Sequence, residues 1–174
     1  VATCLYTGII HDTGVFKYNS TTAHTMEIAG KCMAMGIPFS SIIDDSFYMK
    51  TMAEQKITGR VLLDAELYMG GRILASSLSL KDMQSYGADQ KDVDGIVSLL
   101  RETKGVEGVI FLYEVGSNTY KVSLRSNNTA LDVSEVAAHF GGGGHKMAAG
   151  CSLKGDVQSI LTKLFSELGK QLDA

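Results

Sequence analysis

From Lys121 to Gly150 the chain reads KVSLRSNNTALDVSEVAAHFGGGGHKMAAG. At its start Tyr120, Val122 and Leu124 alternate with Lys121, Ser123 and Arg125, the period of a strand buried on one face only. Asp132 stands where it can cap a short helix over VSEVAAHF. Four consecutive glycines, Gly141, Gly142, Gly143 and Gly144, then lead into His145 and Lys146. Glycine loses more backbone freedom on folding than any other residue, so such a run between packed flanks requires a reason. Two are open: a turn or linker, or side-chain-free backbone whose N–H groups let an anion approach closely. The spacing fits neither a Walker A loop nor GxGxxG.

Working outward, GVIFLYEV is continuously apolar and is separated from the alternating strand by GSN, which predicts a β-hairpin. Arg72 to Leu80 reads as another strand after a glycine turn. KDVDGIVSLLRET sets Val93, Ile96, Val97 and Leu100 on one helical face, and the closing segment does the same for Val157, Ile160, Leu161, Leu164, Phe165, Leu168 and Leu172. Toward the other end, residues 1–10, VATCLYTGII, are rich in β-formers and predict a buried strand that runs into HDTG, where Gly14 turns the chain. Met26, Ile28, Ala29, Cys32, Met33 and Met35 recur at helical spacing, and Pro38 opens a further short helix near Ser40. Residues 51–69 are helix-prone and make the best linker. The fold class is α/β.

The chain has 174 residues, 16 Lys and Arg against 19 Asp and Glu, and a formal charge of -3. That balance excludes a broad basic nucleic-acid surface but not a concentrated pocket for an anionic ligand. Cys4, Cys32 and Cys151 fit no CxxC metal pattern and read as reduced thiols of a cytoplasmic protein. No apolar run is long enough to span a membrane. A first residue that is valine reads as the start of a piece of a longer protein.

Three groups carry candidate chemistry. Asp12, at the end of the expected strand, is a hard oxygen donor suited to Mg²⁺ or Mn²⁺, or else an Asx residue holding its own turn. Arg125, at the end of the alternating strand, offers a planar fork that phosphate oxygens match, with Ser126 as a hydroxyl donor; the alternative is a solvated strand-end arginine. His145, beside the glycines, is a phosphate donor or an acid, or a structural histidine.

GIIHDTGVFKYNSTTAHT, followed by KVSLRSNNTALDVSEVAAHFGGGGHKMAAG, resembles the DHH phosphoesterase superfamily, in particular its NrnA-type subgroup. The resemblance spans essentially the whole chain. It implies the C-terminal part of a DHH catalytic domain over 1–50, a linker helix over 51–69, and a DHH-associated α/β domain with a mixed sheet over 70–174. It implies a phosphoesterase, a 3′-5′ exoribonuclease that hydrolyses short oligoribonucleotides and 3′-phosphoadenosine 5′-phosphate at a two-metal Mn²⁺ centre, with Mg²⁺ as the other metal, and a homodimer as the full-length form. By residue, Asp12 matches a metal-binding aspartate, while Arg125, Ser126, Gly141 to Gly144 and His145 match substrate-binding positions. His24 departs from the family, which commonly has arginine there. The other metal motifs have no counterpart in these residues, which implies that the chain alone is inactive. RecJ-like exonucleases, cyclic-dinucleotide phosphodiesterases and a non-catalytic nucleotide-binding module are the rival readings.

Overall fold

The computed structural model of the chain describes residues 1–172, so the last two residues of the domain expected over 70–174 lie outside the described part. The chain divides into two compact units, residues 1–50 and 51–174.

In the first unit, helix α1 spans Ala2–Thr13, α2 Ala23–Ala34 and α3 Phe39–Ile43, the last continued by a wide turn to Tyr48. The expected N-terminal strand is therefore a helix. Short apolar runs are ambiguous between the two states, and here Tyr6, Ile10 and Thr13 are the residues α1 buries, a helical stripe. Thr7 and Thr13 donate their hydroxyls to the carbonyls four residues back, at 2.9 and 2.6 Å, which satisfies the hydroxyls within the helix. After α1 the backbone is left-handed at Gly14, Val15 and Phe16 in succession, a conformation that costs side-chain-bearing residues roughly 1–2 kcal/mol each. Phe16 meets Tyr6 edge to face at 6.4 Å and its N–H donates to the Thr13 hydroxyl, contacts that hold the turn. Thr22 caps α2 with a reciprocal bond to Thr25. Tyr6, Ile10, Ala29 and Cys32 form the small core, and Leu5, Met26, Met33 and Met35 are exposed.

The second unit opens with α4, Met52–Leu63, followed by strand β1, Glu66–Tyr68, within the segment read as a linker. Ile57 and Val61 of α4 are fully buried. Then come β2 Ile73–Leu78, α5 Leu80–Ser85, α6 Ile96–Arg101, β3 Gly108–Gly116, β4 Thr119–Ser126, α7 Val133–His139, β5 Gly143–His145, β6 Ala148–Lys154 and α8 Val157–Leu172. The six strands form one sheet in the order β1-β2-β3-β4-β6-β5. Only the β2–β3 pairing is parallel, because the long crossover through α5 and α6 returns the chain to the same end of the sheet. The sheet is mixed. The helix expected across KDVDGIVSLLRET is split: Gln90–Val93 is a 3₁₀ turn, and Gly95, at φ 89°, precedes α6. All four of its predicted apolar positions are nevertheless buried.

Each face of the sheet has its own core. On one, α7 and α8 pack on Ile110, Leu112, Val122, Leu124 and Cys151. On the other, α4, α5 and α6 pack on Leu74, Leu78, Val109 and Phe111, covering β2 and β3. Ser76, buried, donates to the Val61 carbonyl at 2.7 Å and ties α4 to β2. The β3–β4 hairpin and the Asp132 cap form as the sequence predicts, Asp132 accepting from the N–H groups of Ser134 and Glu135.

Arg72, Glu107 and Asn128 fasten one end of this sheet. Arg72 donates to the Glu107 carboxylate at 2.6 and 3.3 Å and to the Leu172 carbonyl at 2.9 Å, while the Asn128 amide donates to the same carboxylate. Arg72 first, then Asn128, hold the Glu107 carboxyl below its ordinary value. A depressed carboxyl contributes stability that is present above its unfolded value and lost as pH falls through the folded one. Glu107→Gln is therefore expected to cost about 1–2 kcal/mol at neutral pH, and the gap to the wild type should close in acid; urea titrations across pH measure both.

Candidate functional site

The alternation read along β4 holds. Tyr120, Val122, Leu124 and Ser126 are buried, so Lys121, Ser123 and Arg125 share the opposite face. Partners across an antiparallel ladder lie on one face, and the register extends that face across two more strands. Arg125 pairs with Ala148, and Ala148 with His145. One row further along, Ser123 pairs with Gly150, and Gly150 with Gly143, while Lys121 pairs with Ser152. Arg125 and His145 thus stand in one transverse row, two strands or about 10 Å apart, beside a floor of serine and glycine. Ser123, Gly150 and Ser152 of that floor also line an open groove of about 460 Å³, with Tyr113, Lys121, Phe140 and Gly142 among the others; Arg125, Gly143 and His145 are not part of its lining.

Arg125 is half-buried, and one of its terminal nitrogens donates to the Leu124 carbonyl at 2.9 Å. Burial first, then the positive charge of Arg101, lower its pKa from the ordinary arginine value; a guanidinium nonetheless stays cationic in proteins. Arg101 is fixed by Asn127 in both directions: its Nε donates to the Asn127 side-chain oxygen at 2.8 Å, and the Asn127 amide donates to the Arg101 carbonyl at 2.8 Å. His145 and Lys121 are exposed.

The glycine run has several separate reasons. The N–H groups of Gly141 and Gly142 donate to the Ala138 and Ala137 carbonyls and close α7, so neither is free for an anion. A Cβ on Gly142 would stand 2.2 Å from the Gly150 carbonyl oxygen, and one on Gly144 would stand 2.5 Å from the Ala149 Cα. Gly141 and Gly144 also have positive φ, 75° and 149°. Gly143 differs: a Cβ there would meet nothing within 4 Å. Its bareness serves no internal packing, and it lies on the face with Arg125 and His145.

Ser126 is not brought to that face. It is fully buried, and its hydroxyl donates to the Asn128 carbonyl at 2.6 Å and accepts from the Asn128 N–H at 3.1 Å. Asp12 lies in the last turn of a helix, not at a strand end, and is exposed. His11 packs on the Phe47 ring at 4.9 Å, and His24 lies 3.6 Å from Glu27. Among the described residues no three His, Cys, Asp or Glu side chains come together as metal ligands. Asp12 alone does not make a two-metal centre, and no reaction step is assigned to metal on these residues.

The DHHA1 domain family matches residues 69–170, the segment that carries strands β2 to β6. The chain belongs to the DHHA1 domain family. Over 173 residues it is 30% identical to a bifunctional oligoribonuclease and PAP phosphatase NrnA of Thermus thermophilus, covering 99% of this chain and 51% of that protein. The corresponding protein of Bacillus subtilis is 28% identical over 154 residues, covering 87% and 47%. Among solved structures, an exopolyphosphatase-related protein from Bacteroides fragilis superposes with a TM-score of 0.87 at 28% identity, over 97% of this chain and 49% of that one. The chain spans about half the length of the curated relatives it matches. No helix among the described residues is long and apolar enough to cross a membrane.

Sequence reasoning singled out Arg125, His145 and the glycines but passed over Arg101, Asn127 and Lys121 as site residues. Lys121 was within reach, since it shares the parity of Arg125. Arg101 and Asn127 meet only through tertiary packing.

The glycines of this DHHA1 domain separate by experiment. Gly142→Ala is expected to cost about 2 kcal/mol or more, because backbone must move. Gly143→Ala should change stability by less than about 1 kcal/mol. Denaturant melts of the two variants make the comparison.

Proposed function

We propose that this DHHA1 domain holds the phosphate-bearing part of a short oligoribonucleotide, or of 3′-phosphoadenosine 5′-phosphate, as the substrate-holding part of a metal-dependent phosphoesterase. The observation that carries the reading is the row Arg125–Ala148–His145 beside Gly143. It sets a guanidinium fork and an imidazole on one open face, next to backbone with no side chain in the way. The fork suits two phosphate oxygens at once. His145 supplies one further donor, and Gly143 lets the ligand approach the strand. The groove bounded by Tyr113 and Lys121 has the size and the mixed lining to take a nucleoside beyond the phosphate. The names of the relatives, oligoribonuclease and PAP phosphatase, support this ligand class.

Hydrolysis belongs, in this proposal, to a longer protein in which Asp12 is one oxygen donor to a Mn²⁺ or Mg²⁺ centre completed by ligands beyond these 174 residues. The chain alone binds without turnover. What its own residues do is bind and orient: Arg125 and His145 offset the phosphate charge, and the small-residue floor sets the depth.

Calorimetric titration with 3′-phosphoadenosine 5′-phosphate and with a diribonucleotide, with and without Mn²⁺, tests the reading alongside a hydrolysis assay. Metal-independent binding without turnover is expected. Arg125→Ala should weaken both ligands by about tenfold or more, and His145→Ala in the same direction by less. Equal binding of adenosine, or unchanged affinity in Arg125→Ala, would return both residues to a solvated surface.

A further inference from the structure

We propose that Arg101 is a second phosphate-binding residue, forming with Arg125 a two-arginine clamp that selects a terminal phosphate monoester over an internal diester. The proposal rests on the ligand class assigned above and adds a residue and a selectivity to it.

The chain has four arginines, Arg60, Arg72, Arg101 and Arg125. Arg60 faces Asp64 at 2.7 Å and Arg72 faces Glu107 at 2.6 Å. Among the described residues Arg101 and Arg125 have no carboxylate within ion-pair distance, in a chain where acidic residues outnumber basic ones. These two are also neighbours. Helix α6 lies over β3 and β4 and ends at Arg101, and Asn127, two residues beyond Arg125, clasps it through the two 2.8 Å bonds to its Nε and its carbonyl. A further bond from the Asn127 amide to the Val106 carbonyl, at 3.1 Å, and one from its N–H to the Glu107 carbonyl fix Asn127 itself.

The fold thus holds two like charges together rather than letting them part. The arrangement uses Nε of Arg101 and leaves its two terminal nitrogens for a ligand, on an exposed side chain. Arg125 is anchored through a single terminal nitrogen. An anion between the two offsets their repulsion. A phosphate monoester carries nearly two charges at neutral pH, a diester one, so a paired clamp favours the monoester in a way a single fork does not.

The test compares the 174-residue chain with its variants by calorimetry, using diadenylate with a 5′-phosphate and the same diadenylate without it. The wild type is expected to bind the phosphorylated form more tightly. Arg101→Ala should weaken that form by about tenfold while changing the unphosphorylated one by less than about twofold. Arg101→Lys keeps the charge without the fork and should recover only part of the preference. Arg125→Ala should weaken both ligands. Thermal melts check that each variant is folded, and the lysine variant carries the test if alanine is not. A loss in Arg101→Ala that is equal for the two ligands, or no loss, overturns the clamp and leaves Arg125 in place. Equal wild-type affinity for the two ligands also overturns it. Failure of Arg125→Ala to weaken either ligand overturns the ligand class itself.

Discussion

Strand β4 cannot slip by one residue. Tyr120, Val122, Leu124 and Ser126 are sunk beneath α7 and α8, and because the side-chain period of a strand is two, a slip would trade them for Lys121, Ser123 and Arg125. Buried lysine and arginine without partners are among the most costly groups a core can contain. The register of β4 is therefore fixed by burial, and β6 and β5 inherit it through their ladders. The alignment of Arg125 with Ala148 and His145 is a consequence of what lies on the other side of the sheet.

The candidate face exists because the second helical layer stops short. Helices α4, α5 and α6 cover β2 and β3 with Ile57, Val61, Val97 and Leu100, α6 reaching only as far as β4, while among the described residues the helix that packs on β6 and β5 is α7, on the other side. What these strands present there is small or charged, with Ser123, Gly150, Gly143 and Ser152 between Arg125 and Lys121, so the exposure carries little hydrophobic penalty. Gly142 and Gly144 let the glycine run lie close against β6. Gly142 and Gly144 are required by backbone contacts and Gly141 by its positive φ, while Gly143 is required by neither.

Much of this was legible. The alternation through KVSLRS, the hairpin before it, the Asp132 cap and the apolar stripe of the last helix each rest on local periodicity or on a side chain bonding its own neighbours, and each formed as expected. The failures also have local causes. VATCLYTGII satisfies a buried strand and a helix about equally, and packing of Tyr6 and Ile10 decided for the helix. Gly95 broke a helix whose apolar face had been placed correctly. Ser126 follows Arg125 in the chain and was read with it, yet neighbours in a strand point to opposite faces.

By itself the sequence determined β2, the β3–β4 hairpin, α7, α8 and the apolar positions of α6, and it singled out Arg125, His145 and the glycines, because each of these is written in patterns a few residues long. Only the tertiary structure decided that Arg125 and His145 share a row, that Ser126 is excluded from it, and that Arg101 stands beside Arg125 through Asn127. Those relations depend on ladder register and on the seating of α6 over β4, and such contacts between residues 20 or more positions apart, as about 24 separate Arg101 from Arg125, leave no periodic trace in the chain.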